Sequence, residues 1–119
     1  MPRGRSRKIF LEVRQGLLDI LKAGRLAVDF GGGLDGAGFQ RDAKTQSAIL
    51  HQLAIIGEAV KRLSPEFRSR CPAIPWKSVA GMRDKLIHAY DAVDLEEVWK
   101  IVTVELPHLI EVLAPLEPK

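Results

Sequence analysis

A single cysteine, Cys71, stands in 119 residues, so no intrachain disulfide can form and no cysteine-based zinc site can be built. That usage fits a reducing cytoplasm, which is the expected location. No apolar run approaches the roughly 20 residues of a membrane-spanning helix, so no membrane association is expected. The basic start, Met1 through Lys8, is not followed by a hydrophobic segment with a cleavage site, and no signal peptide is expected. Nothing alternates at period two over a useful length, which argues against a sheet. The glycine-rich stretch Gly31-Gly32-Gly33, with Gly36 and Gly38, has no strand before it and no Gly-Lys-Ser/Thr ending after it. It is therefore read as a flexible turn and not as a phosphate cradle. No His-Glu-x-x-His or clustered aspartates occur, so neither a metal nor a cofactor is expected.

What is present suits one domain with one core. Apolar residues make up 46% of the chain, and the length falls in the single-domain range. The expected division is a basic, disordered tail over 1–8 and a helical domain over 9–116. The net charge of +3 is unevenly spread. Residues 1–8 carry four cations and no acid. Residues 61–85 carry seven cations against Glu66 and Asp84, a net +5. Residues 91–119 carry seven acids against Lys100 and Lys119, a net −5. A basic block of this kind suits an RNA partner, although charge runs are also ordinary solvated surface.

The periodicity predicts an antiparallel four-helix bundle, an all-α fold. A first helix over about 7–29 has an apolar stripe through Phe10, Val13, Leu17, Ile20, Leu21 and Val28. A second, from about Arg41 to Leu63, carries Ile49, Leu53, Ile56, Val60 and Leu63 at steps of three and four. Pro65, Pro72 and Pro75 make the next segment irregular or at most a short helical turn, with Trp76 anchoring it. A short third helix is expected from Lys77 to Tyr90. A fourth begins at Asp94, where Asp94 and Glu97 have the form of a capping box. Its apolar face runs from Leu95 and Val98 to Leu113, and Pro107 should kink it by removing a donor and crowding the carbonyl of Thr103.

The third helix holds Arg83, Asp84, Lys85, His88 and Tyr90, with the spacing R-x-x-x-x-H-x-Y. Arginine holds phosphate through two parallel hydrogen bonds. Histidine moves protons near neutral pH. A tyrosine hydroxyl can contact a nucleotide or accept one. The set suits metal-free cleavage of RNA. Arg83 and Tyr90, seven apart, share a face, and Asp84 lies four residues before His88. Arg83 and His88 are five apart, about 140° around the axis. They converge if the arginine wraps around, if the helix is distorted, or if a second copy contributes. RNA cleavage also needs one group to take the 2′-hydroxyl proton and another to protonate the leaving oxygen. A two-fold dimer would supply two histidines and two arginines to one groove. The plainer alternatives are that Arg83 pairs with Glu58 of the second helix and that Asp84 orients His88 for stability alone. His51 and His108 have no comparable company and are read as surface or boundary residues.

Several segments together resemble a known family. They are Leu18-Asp19-Ile20-Leu21, Arg41-Asp42-Ala43-Lys44-Thr45-Gln46, Ile55-Ile56-Gly57-Glu58-Ala59 and Ile74-Pro75-Trp76. Gly81-Met82-Arg83-Asp84 follows with Leu86, His88 and Tyr90, then Val93-Asp94, Val98-Trp99 and Leu106-Pro107. In order and spacing this is similar to the HepT-like toxins, a branch of the HEPN (higher eukaryotes and prokaryotes nucleotide-binding) superfamily. The resemblance implies a small bacterial or archaeal ribonuclease toxin of a type VII toxin–antitoxin pair, working as a homodimer on an RNA substrate. It implies a nucleotidyltransferase antitoxin of the MntA type as partner. It also implies Arg83 and His88 as catalytic residues and Tyr90 as the acceptor of AMP. Asp84 and Glu58 would support them, and Lys85 and Tyr90 would contact RNA. One departure is Asp84, where the family commonly has asparagine. Aspartate can accept a hydrogen bond from His88 and would favour its protonated form, but it adds negative charge beside the phosphate. The alternative from another class is a noncatalytic module that presents a nucleotide or substrate to a partner nucleotidyltransferase.

Overall fold

A computed structural model describes residues 3–81 and 94–117, with residues 3–10 described by their backbone alone. Among the described residues every regular element is a helix and none is a strand. Helix α1 spans Arg3–Gly31, so the basic residues from Arg3 to Lys8, read from the sequence as a disordered tail, lie within its first turns. Leu17, Ile20, Leu21 and Ala27 are buried along one side of α1, at the spacing that a helix repeats on one face.

The glycine-rich turn is more ordered than expected. Gly33, with φ at +84°, takes the left-handed backbone that a side chain disfavours. Asp35 then accepts a hydrogen bond from the Gly38 N–H at 2.7 Å and starts a five-residue helix, α2, Gly36–Gln40. This short helix delivers Phe39 to the core, fully buried and stacked on Trp99 with ring centroids 5.0 Å apart. The Gln46 side-chain amide donates to the carbonyls of Phe39 and Gln40, satisfying the end of α2.

Helix α3, Ala43–Lys61, begins at Asp42, whose carboxylate accepts from the Thr45 N–H at 3.0 Å and from the Thr45 hydroxyl at 2.7 Å. The stripe read from the sequence is the buried one: Ile49, Leu53, Ile56, Val60 and Leu63 are all at most 2% exposed. Its main partner is α1. Gly16 of α1 lies where an added methyl carbon would come within 2.7 Å of Leu63, so the two helices approach closely there.

The proline-rich segment forms two five-residue helices, α4 (Pro65–Ser69) and α5 (Trp76–Ala80). Trp76 anchors the loop between them as expected. Its indole N–H donates to the carbonyls of Arg68 and Cys71, and its ring meets Phe67 edge-on. Helix α5 packs on α3, with Val79 buried between them. The rest of the expected third helix, from Met82 onward, lies outside the described residues.

The last helical stretch begins with α6, Leu95–Lys100, capped by Asp94, which accepts from the Glu96 and Glu97 N–H groups. A widened π-helical turn, Ile101–Glu105, leads into α7, Leu106–Leu113. The Leu106 N–H reaches back to the Ile101 carbonyl. The expected disturbance near Pro107 thus takes the form of a wide turn just before it. Helix α7 returns along α1, where Ile110 covers Gly24. A single-turn 3-10 helix, Ala114–Leu116, follows, and Glu117 pairs with Arg25 of α1 at 3.0 Å.

Candidate functional site

The candidate motif occupies the chain between Gly81, at the end of α5, and Asp94, the cap of α6. Both ends are fixed to the body of the protein. On one side Ile74 and Val79 are buried and Trp76 is tied by two hydrogen bonds. The Gly81 N–H closes the helix on the Lys77 carbonyl at 3.0 Å. On the other side Val98 is buried one turn after Asp94. The fold therefore fixes the two points between which residues 82–93 run.

Arg83, Asp84, Lys85, His88 and Tyr90 themselves lie outside the described residues, so their expected roles stand as they were read from the sequence. Glu58 is described. It is an exposed residue near the end of α3, one turn before Lys61. His51 and His108 are both exposed, in keeping with the surface positions expected for them.

Two recesses adjoin α5. One is a cavity of about 240 Å³ between α5 and the π-helical turn. Its floor is apolar, with Val79, Ile101 and Leu109, and its polar groups include Glu97, Glu105 and His108. The other is an open groove where the end of α3 meets α4 and α5. It gathers Lys61, Arg68 and Lys77 with Ser69, Trp76 and Gly81. In the sequence these three cations are only members of a basic run, because their convergence depends on two short helices that lack periodicity. The Arg68 guanidinium donates from Nη2 to the Leu63 carbonyl at 3.2 Å, while its Nε is buried without an acceptor.

Other polar clusters among the described residues are structural. Asp19 accepts from Gln15 and Arg62, joining α1 to the end of α3. The Arg25–Glu117 pair raises the arginine pKa and lowers that of the glutamate, because the guanidinium donates two hydrogen bonds to the carboxylate and favours both charged forms. Asp42 is lowered from the ordinary aspartate value by the Thr45 N–H and then by the Thr45 hydroxyl. Among the described residues no group of three His, Cys, Asp or Glu side chains is placed to hold a metal ion. None of the helices among them is long and apolar enough to cross a membrane.

The family model described as "Ribonuclease HepT-like" matches residues 20–116, which spans every described element from the middle of α1 to the chain's last helical turn. The chain belongs to the HepT-like ribonuclease family. Curated relatives agree. A Methanocaldococcus jannaschii protein named "Putative RNase MJ0127" is 41% identical over 100 residues, covering 84% of this chain and 83% of that protein. A Thermococcus cleftensis protein named "Probable ribonuclease HepT" is 43% identical over 105 residues, covering 88% of this chain and 90% of its own length. No solved structure matches the chain significantly. Membership of the HepT-like family bears out the resemblance carried by the motif segments, and the all-α architecture is the one expected of it.

Proposed function

We propose that this HepT-like chain is a metal-independent RNA endonuclease, the toxin of a pair whose antitoxin is an MntA-type nucleotidyltransferase. The observation that carries the reading is family membership over residues 20–116, a span that includes the R-x-x-x-x-H-x-Y segment in full. His88 exchanges protons with the reacting oxygens, and Arg83 stabilises charge on the phosphate oxygens. The 2′-hydroxyl loses its proton, its oxygen bonds to phosphorus, and the 5′-oxygen leaves with a proton. The products are a 2′,3′-cyclic phosphate and a free 5′-hydroxyl. Asp84 orients His88, and Lys85 contacts the RNA backbone. Glu58, near the end of α3, supports the arginine.

Tyr90 contacts RNA and is the acceptor of AMP. A nucleotide attached there adds bulk and negative charge where an RNA phosphate would sit, which repels the substrate. The protein acts as a homodimer, because one chain carries one motif histidine whereas acid and base are both required.

The test is a nuclease assay in EDTA with the wild type, Arg83→Ala and His88→Ala. Each substitution should reduce cleavage by about 100-fold or more. Undiminished cleavage by both would sink the assignment, and an inactive wild type that still binds nucleotide would favour the noncatalytic module. Prior incubation with the partner nucleotidyltransferase and ATP should silence the wild type and leave Tyr90→Phe active.

A further inference from the structure

The open groove at the end of α3 has a chemistry of its own. Among its walls are Lys61, Arg68 and Lys77, and no carboxylate among the described residues lines it. Arg68 is tethered through the Leu63 carbonyl, and no carboxylate among the described residues neutralises it. Lys77 is exposed on α5 and has no ion-pair partner among the described residues. The wall between them is rigid, since Trp76 is held by hydrogen bonds to two carbonyls and by its edge contact with Phe67. Three cations on a fixed aromatic wall attract a chain of phosphates.

The cavity between α5 and the π-helical turn differs in charge, with Glu97 and Glu105 among its described lining residues. The uneven charge of the sequence therefore becomes a polarity in space. An anionic strand is drawn to the α3–α4–α5 side and repelled from the α6–α7 side. Gly81 lines the groove, and the chain reaches Arg83 two residues later.

We propose that this groove binds the backbone of single-stranded RNA flanking the bond that is cut, with Lys77 and Arg68 contacting its phosphates. The inference rests on the ribonuclease reading for the identity of the polymer, and on the groove alone for where it lies. Single strands are the usual targets where proteins read RNA locally.

The experiment measures binding of a short fluorescein-labelled 2′-O-methyl RNA, which cannot be cleaved, to the full chain across a KCl series. Lys77→Gln should weaken binding and reduce the slope of log K against log[KCl] by about 0.7, the value for one lost phosphate contact on a single strand. Arg68→Gln combined with Lys77→Gln should reduce it by about 1.4. Lys100→Gln, an exposed lysine of α6, serves as the control and should leave the slope unchanged. An unchanged slope in Lys77→Gln and in the double variant, with wild-type binding intact, overturns the groove and leaves the ribonuclease reading standing. Absence of RNA binding by the wild type overturns both. If Lys77→Glu spares RNA binding and instead weakens capture of the partner nucleotidyltransferase, the groove is a protein interface and the proposal fails.

Discussion

Asp42 shows how one side chain can serve both fold and pH response. It caps α3 by accepting from the Thr45 N–H and hydroxyl, and those bonds favour its charged form. Its folded pKa is therefore below the unfolded value. The sign follows from linkage: the carboxylate's contribution is fully present above the unfolded pKa and is lost as pH falls through the folded one. Asp42→Asn should still cap the helix, since asparagine is a good N-cap residue. It should also flatten the acid limb of the stability profile. Urea unfolding midpoints of wild type and variant, taken from neutral pH down past the aspartate range, check this. Parallel acid limbs would show that Asp42 is not a source of the pH dependence. The sequence placed the start of this helix at about Arg41 without marking Asp42 as its cap, and the structure moves the start to Ala43.

At the scale of elements, the long helices were readable and the short ones were not. The stripes of α1 and α3 repeat over several turns; that of α3 is buried residue by residue, and in α1 Leu17, Ile20 and Leu21 are buried while Val13 and Val28 are half-buried. Five-residue helices have no room for a period. Helix α2 exists because Asp35 caps it and Phe39 docks on Trp99, a partner sixty residues away in the chain. Phe39→Ala should destabilise the protein by about 3–5 kcal/mol, the usual range for emptying a buried phenylalanine site. A loss under about 1 kcal/mol by chemical denaturation would mean that the glycine-rich connection does not contribute to the core, the flexible turn that the sequence suggested. The wide turn before Pro107 was also open to reading. Val98, Val102 and Leu106 recur at steps of four, which lag behind an α-helix of 3.6 residues per turn. A turn that bonds five residues back takes up that lag and keeps all three buried.

The whole molecule raises the question of how many chains make one site. The residues proposed for catalysis were legible as a spacing, and they fall within the span that the family model matches. The basic groove was not legible, because three cations from three helices meet only after folding. On a regular helix Arg83 and His88 would diverge by about 140°, which favours pairing Arg83 of one protomer with His88 of the other. That arrangement makes a prediction that a one-chain site does not. Wild type and the double variant Arg83→Ala/His88→Ala are unfolded together in equal amounts and refolded as a mixture. About half the dimers then carry one chain of each kind, and no groove in those dimers holds groups from both protomers, so about a quarter of wild-type activity should remain for the same total protein. Cleavage is read in EDTA against wild type refolded alone. If Arg83 and His88 act within one chain, each wild-type chain keeps its site whatever its partner, and about half the activity remains. Half recovery from a mixture shown by mass to contain mixed dimers would exclude the shared groove, and the remaining routes to convergence would be an arginine that wraps around its own helix or a distortion of that helix.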